Sequence, residues 1–269
     1  MADEYARANR AVWDRWTLEA TDSEHHRDVA VFRSGSLSLR SIELHEVGDV
    51  AGKTLLHLLC NMGCDTLSWA RQGAQVTGVD ISSAAVAQAQ ALAAEAELAA
   101  RFVCSDLYAL PEVLHEQFDV VFSSYGALCW LPDLERWASI VRGYLKPGGV
   151  FYAVDMHPVA GLVEGEGTVL RVRERNAYFH ATQPFREDVP TREAGRTMPL
   201  YSWSYSLGEV ISALLAAGLR LEYVHEFPQT FYQQFPSLIP GDDRYWHWPL
   251  PENTLPLLFS IRATNPRSQ

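Results

Sequence analysis

The chain has 269 residues, 48% of them hydrophobic and 20% charged, the balance of a globular protein that can bury a core and not of a disordered one. With 33 acidic against 22 basic side chains and a formal net charge of -11, it lacks the cationic surface that neutralises phosphates, which argues against a nucleic-acid partner. No run approaches the ~20 apolar residues of a membrane span, and the opening MADEYARANRAVWDRW has no apolar signal core, so a cytoplasmic protein without membrane attachment is expected.

The first twenty residues, with Trp13 and Trp16 three apart, suit an amphipathic helix in front of the core. Thr21–Gly48 is polar, carries His25 and His26 and keeps no sustained period, so it reads as a connection with one short helix around Arg40–Glu46. Residues 1–48 are therefore expected to form an N-terminal helical cap on a single domain spanning 1–269.

From Lys53 the pattern becomes regular: strand Thr54–Leu59, helix Thr66–Gln72, strand Gln75–Asp80, helix Ser82–Glu97, strand Arg101–Cys104. The Ala-rich helix forms by propensity alone, and Ser82 or Ser83 can cap its free N–H groups. Within KTLLHLLCNMGCDTLSWARQGAQVTGVD, a parallel crossover brings a helix N-terminus and the carboxylate of Asp80 to one sheet edge, an arrangement that suits a nucleotide-type cofactor. A dinucleotide fingerprint needs three glycines in that turn, and Leu59, Asn61 and Gly63 stand there instead.

Phe118–Ser123 is another continuous apolar strand, followed by the loop SSYGALCWLPD, a helix Leu134–Leu145, the turn KPGG and a strand Val150–Asp155. Five strands apolar on both faces indicate a parallel sheet covered by helices. After Asp155 the pattern breaks, and residues 156–206, with Gly161, Gly165, Gly167 and pieces such as TVLRVRER, read as an inserted antiparallel segment. Arg171, Arg173 and Arg175 alternate there as one solvated strand face would. The core resumes with helix Leu207–Ala217 and strands Leu219–Glu226 and Leu255–Ala263; residues 227–254 form a second insertion, rich in Pro and aromatic residues. Cys60, Cys64, Cys104 and Cys129 are too few and too irregular for a disulfide scaffold, and without a paired C-x-x-C motif they are expected to be thiols and not metal ligands.

The order of these signals resembles the class I S-adenosylmethionine-dependent methyltransferases. In that family the first strand ends in a glycine loop, the second in an acidic residue, the third in an aspartate, and a later helix in a K-P-G-G turn; the counterparts are Leu59–Asp65, Asp80, Asp106 in VCSD, and Lys146–Gly149. HLLCNMGCDT is also similar to the H-L-x-C-x-x-G-x-D-T signature of a subset of bacterial members. The resemblance implies an α/β, Rossmann-like, doubly wound, mostly parallel sheet of seven strands, with helices on both faces and an inserted antiparallel cap segment. It implies S-adenosyl-L-methionine as cofactor and a small molecule as methyl acceptor, and it leaves a homodimer open.

By that resemblance the methionyl end lies against Leu59, Cys60, Asn61, Gly63 and Thr66, with Ser124 and Tyr125 bordering it and the sulfonium. Asp80 accepts from the ribose hydroxyls, with Ile81 on one adenine face; Ser105, Asp106 and Leu107 hold the amine and the other face. The family's usual acidic residue inside the first strand is His57 here, so Asp65 is expected to supply the missing carboxylate for the methionyl ammonium.

Methyl transfer is an in-line displacement that chiefly demands positioning and exclusion of water, with a general base useful for a hydroxyl or an ammonium acceptor. His157, directly after the fifth strand, is the leading candidate for that base, ahead of His180, His225 and His247. The aromatic residues of the two insertions, above all Trp203, Tyr205, Tyr245 and Trp246, are expected to wall the acceptor pocket, with Tyr5, Trp13 and Trp16 closing the cap. Two other classes are compatible with such a chain: a non-catalytic ligand-binding or scaffold relative, and a nicotinamide-dependent oxidoreductase, which the missing glycines disfavour.

Overall fold

A computed structural model describes residues 2–19, 24–166, 169–173, 177–191, 193, 195–250 and 255–267. Gly167, Arg175 and the side chains of His25 and His26 lie outside the described residues. The chain begins with helices α1 (Ala2–Glu19), α2 (Glu24–Arg33) and α3 (Ser41–Val47). An alternating core follows: β1 (Thr54–Leu58), α4 (Cys64–Arg71), β2 (Gln75–Asp80), α5 (Ser83–Glu95), β3 (Ala100–Cys104), β4 (Phe118–Ser124), α6 (Leu134–Tyr144) and β5 (Leu145–Met156). After the short α7 (Pro158–Gly161) come two antiparallel ribbons, β6 (Val163–Glu166) with β7 (Val169–Val172) and β8 (Phe185–Pro190) with β9 (Thr197–Ser202). The chain then forms α8 (Leu207–Ala216), β10 (Arg220–Phe227), a small ribbon of β11 (Ile239–Pro240) and β12 (Trp246–His247), and β13 (Leu258–Thr264).

Seven strands form one sheet in the order β10-β13-β5-β4-β1-β2-β3, parallel except for β13, which runs antiparallel to both its neighbours. The connections run outward from β1 in one direction through β2 and β3 and in the other through β4 and β5. The C-terminal ends of β1, β2 and β4 therefore open a crevice at the point where strand order reverses, which is where open α/β sheets take ligands.

Alternation along the strands distributes the core over both faces. Leu56, Val121, Phe151 and Ile261 face Trp137 and Val141 of α6 and Leu214 of α8, while Leu55, Phe122, Tyr152 and Val154 face Ile42 and Val47 of α3 and Trp69 of α4. Each fully buried large side chain is worth about 1.5–3 kcal/mol, so this two-sided packing, and not helix propensity, sets where the strand ends point. Caps finish the helices: Ser82 Oγ accepts from Ala85 N–H at 3.0 Å, Asp133 from Arg136 N–H at 2.9 Å, and Ser206 with Glu209 completes a capping box.

Several elements differ from expectation, three of them for identifiable reasons. Helix α4 starts at Cys64 because Gly63, at φ 74°, is its N-cap. Strand β1 stops at Leu58 because Leu59 is left-handed, at φ 55°. Helix α2 lies in what reads as a connection; the buried apolar residues described in it are Val29 and Phe32, too few for a visible period. Among the described residues no helix is long and apolar enough to cross a membrane.

Candidate cofactor and acceptor site

The loop after β1 is left-handed at three alternating residues: Leu59 (φ 55°), Asn61 (φ 49°) and Gly63 (φ 74°). These are the three positions of a glycine-rich turn, so the backbone keeps that course although two of the glycines are replaced. A non-glycine residue there carries about 1–2 kcal/mol of strain, least for Asn. Gly63 cannot be replaced in the same way: a Cβ would lie 2.7 Å from a Phe102 ring carbon and 2.8 Å from Ala89 Cβ. Asn61 N–H donates to Asp80 Oδ2 at 2.8 Å, and Ser82 N–H to Asp80 Oδ1 at 2.8 Å, so the end of β2 ties the loop to the start of α5. Burial raises the Asp80 pKa, against the pull of those N–H donors.

A second polar group lies at the ends of β1 and β4. Asp65 accepts from Ser38 Oγ at 2.6 Å and from Ser124 Oγ at 2.9 Å. His57 Nε2 is 3.3 Å from Ser124 Oγ, and its Nδ1 is 2.8 Å from Thr66 Oγ1. Burial lowers the His57 pKa to about 4, with Asp65 opposing. The ring is thus neutral, and with Ser124 donating to Asp65 the network assigns its proton to Nε2 and lets Nδ1 accept from Thr66. Arg40 is 9% exposed, its guanidinium 5.3 Å from the Tyr125 ring centre, 5.5 Å from that of Phe231 and 3.5 Å from Asp28 Oδ1. Its buried Nε has no hydrogen-bond partner among the described residues. Behind it, Glu43 accepts from Arg40 N–H at 2.6 Å and from Tyr125 Oη at 2.7 Å, and burial, then Asp65, push its pKa up to about 7.

These groups meet around one cavity of about 240 Å³. Its floor is Leu59, Cys60, Asn61 and Gly63 from the first loop and Asp65 from the first turn of α4, with Asp80 at the end of β2 and Ile81 after it. Its sides are Ser105, Asp106 and Leu107 after β3, Ser124 and Tyr125 at the end of β4, and Arg40. Helix α1 roofs it with Tyr5, Ala6, Asn9 and Trp13. The roof is tied at both ends: Asp14 accepts from Ser82 Oγ and Ala84 N–H at 2.7 and 2.9 Å, and the Asn9 amide exchanges two bonds of 2.7 and 2.8 Å with the Tyr201 backbone.

Residues 56–153 match the family model described as "Methyltransferase domain". A ubiquinone biosynthesis O-methyltransferase from Pseudomonas putida (strain GB-1) is 30% identical over 174 residues, covering 63% of this chain and 70% of the relative. This chain belongs to the class I S-adenosylmethionine-dependent methyltransferase family. Two solved structures share its fold. A methyltransferase from Mesorhizobium loti gives a TM-score of 0.58 at 21% identity, covering 81% of this chain and 93% of that one. Magnesium protoporphyrin IX methyltransferase from Synechocystis PCC 6803 with bound SAH gives 0.55 at 16% identity, covering 99% and 98%.

The residues of this methyltransferase fit its cofactor, S-adenosylmethionine. A zwitterionic amino-acid end calls for one cation and one anion in close reach, and Arg40, with its unpartnered buried Nε, and Asp65 line the same cavity. When bound, the cofactor supplies a methyl group already activated on a sulfonium.

Of the remaining expected site residues, Trp203 lines the methyltransferase cavity, and Thr66 stands one layer behind it, fully buried against His57. Tyr205 does not line it; its hydroxyl donates to Leu131 O and its ring stacks on His180. Tyr245 is buried behind Tyr125, with the two hydroxyls 3.4 Å apart, and Trp246 packs beside Phe235 and Leu257 in a separate cluster. His157 is also outside: it caps α7 through Nδ1, 3.2 Å from Val159 N, and its Nε2 lies 2.8 Å from Glu226 Oε1. Arg40, Asn9, Asp14 and Glu43 were not singled out from sequence. The one available signal was an arginine set among apolar residues in LSLRSIEL, where a solvated charge is out of place.

Proposed function

We propose that this methyltransferase acts on a small-molecule acceptor in the cytoplasm, and that the loop and strand ends described above hold S-adenosylmethionine. The reading is carried by one observation: a left-handed loop that retains the course of a glycine turn lies across from a strand-end carboxylate and opens into the same cavity as Arg40 and Asp65. In this reading Asp65 takes the methionyl ammonium and Arg40 the carboxylate. Leu59, Cys60, Asn61 and Gly63 form the backbone bed, and Thr66 fixes the His57 tautomer beneath Ser124. Asp80 takes the ribose diol. Ile81, Ser105, Asp106 and Leu107 take the adenine, and Ser124 with Tyr125 borders the sulfonium.

The acceptor side draws on the three segments outside the alternating core, residues 1–48, 156–206 and 227–254, which contribute Tyr5 and Trp13, Trp203, and Phe231 to the cavity wall, and on the β4–α6 loop, which contributes Trp130. The net charge of -11 favours a small molecule over a nucleic acid. The four cysteines are unpaired, which favours a reducing compartment. The Pseudomonas putida relative is named for O-methylation, which makes oxygen one candidate for the accepting atom.

Calorimetry with S-adenosylmethionine and S-adenosylhomocysteine tests the reading. Binding of both is expected, and Asp65→Asn should weaken it by about tenfold or more, the loss of one charge-assisted bond to a buried group. No heat of binding at millimolar ligand would overturn the cofactor placement.

A further inference from the structure

The cofactor placement leaves one part of the cavity wall unused, formed by α1, the β4–α6 loop and the residues after β9. Its large side chains are Tyr5, Trp13, Trp130 and Trp203. Tyr5 meets Trp203 at 71° with ring centres 5.7 Å apart, and Trp13 meets Trp130 at 90° and 5.5 Å. Edge-to-face pairs of this kind hold rings in fixed positions. Two polar groups of this wall have partners: the Asn9 amide is taken up by the Tyr201 backbone, and Arg136 donates to Tyr108 O at 2.8 Å and lies 5.0 Å from that ring.

The same cavity offers little to remove a proton. Among the described residues lining it there is no lysine, and its one histidine, His57, has both nitrogens committed to Thr66 and Ser124. The carboxylates sit on the cofactor's side with partners of their own: Asp65 on two serine hydroxyls, Asp80 on two backbone N–H groups, Asp106 on Tyr108 N–H, and Asp28 beside Arg40. Burial pushes the Cys60 and Cys64 thiols well above their ordinary range, so they remain protonated.

A largely aromatic wall with no base among the described residues selects for one kind of chemistry. Transfer to an anion turns an anion and a cation into two neutral products, and a low-dielectric surrounding favours that loss of charge. Transfer to a neutral amine only moves the positive charge and gains nothing from such walls. We propose that the acceptor is a flat aromatic or heteroaromatic molecule whose attacking atom is an acidic thiol or phenol that ionises without help from the enzyme. The acceptor releases its proton to water, its lone pair forms the new bond to the methyl carbon, and the electrons of the broken carbon–sulfur bond remain on sulfur. This inference rests on the cofactor placement proposed above.

The test uses para-substituted thiophenols and phenols of graded acidity, with benzylamine and benzyl alcohol as controls of similar shape. Binding is measured by calorimetry on the protein loaded with S-adenosylhomocysteine, and turnover by release of that product from S-adenosylmethionine. The acidic series is expected to bind and to turn over, with a pH midpoint that follows each acceptor's own acidity. Tyr5→Ala and Trp130→Ala, both at half-buried positions, should weaken aromatic binding about threefold to tenfold while leaving S-adenosylmethionine affinity unchanged. A midpoint that stays fixed across the series would reveal an enzymic base and overturn the proposal. So would equal turnover of benzylamine or benzyl alcohol, or no aromatic binding to a protein that binds S-adenosylmethionine. Failure to bind S-adenosylmethionine at all would overturn the cofactor placement, and this inference with it.

Discussion

Asp80 closes β2 and Asp155 lies one residue before the end of β5, and the two carboxylates have different work. Asp80 accepts one backbone N–H on each oxygen and faces the cavity. Asp155, 5% exposed, accepts four: Gly126 and Met156 on Oδ1 at 2.6 and 2.7 Å, Ala127 and Leu128 on Oδ2 at 3.1 and 2.9 Å. Burial raises both pKa values and the N–H donors oppose it in both. A strand-end carboxylate can serve a ligand only while it has lone pairs to spare. Asp155 has spent its own on the turn that carries Tyr125 (φ 36°) and Gly126 (φ 83°) into the cavity wall. One carboxylate lines the cavity, and the other holds part of its wall.

The sharpest way to break that contrast is to remove Asp155. Asp155→Ala leaves four N–H groups without their acceptor, two of them fully buried, at about 1 kcal/mol each, so a loss of about 4 kcal/mol is expected in urea unfolding; a loss under about 2 would mean the turn holds itself. Glu43 extends the comparison as a third carboxylate, wholly buried but with two donors and facing Arg40, Asp65, Tyr125 and Tyr245. Its pKa of about 7 lies above the ordinary 4.5. Below 4.5 folded and unfolded chains are both protonated there. As pH rises from 4.5 toward 7, the unfolded chain ionises while the folded state keeps its proton, and stability falls by up to about 3 kcal/mol. His57 acts oppositely, losing stability as pH falls from 6.5 toward 4, so the informative quantity is the gap between Glu43→Gln and the parent. That gap should move in the variant's favour from pH 4.5 to 8, and a flat gap would remove Glu43 as a titrating group. Asp80→Asn turns an amide NH2 toward one of its two N–H donors, so it is expected to cost about 1 kcal/mol of stability and to act chiefly on affinity, weakening S-adenosylmethionine by about tenfold to a hundredfold. Equal weakening of a cofactor fragment lacking the ribose would break the diol assignment.

The same contrast explains what could be read from sequence. The strands, their order of signals and Asp80 were legible because apolar runs and strand-end carboxylates are local features. His157 was not, although it also follows a strand. Its N–H bonds Leu257 O at 2.9 Å and its ring turns to Glu226 of β10, because β13 and β10 extend the sheet beside β5 and cover that end. Tyr245 likewise comes from the second insertion but lands behind Tyr125 and not in front of it. Arg40 and Glu43 reach the site only because α3 docks on the face of β1 and β4, a contact that no local pattern encodes.

The smallest effect concerns the feature that seemed most damaging in sequence, the missing glycines. If the loop's function lies in its backbone course, Leu59→Gly should restore an unstrained left-handed residue, regaining about 1–2 kcal/mol and giving back about 0.5–1 kcal/mol as chain entropy. Part of the remainder is lost with the Leu59 side chain, which packs partly buried against the main core cluster. The net change in unfolding free energy should stay within about 1 kcal/mol, and cofactor affinity within a few-fold. Leu59→Val keeps an apolar side chain but places a β-branched residue where left-handed backbone is least tolerated, so it should be the more destabilising of the two. The reverse order would mean that the Leu59 side chain, and not the loop's backbone course, is what the site requires there.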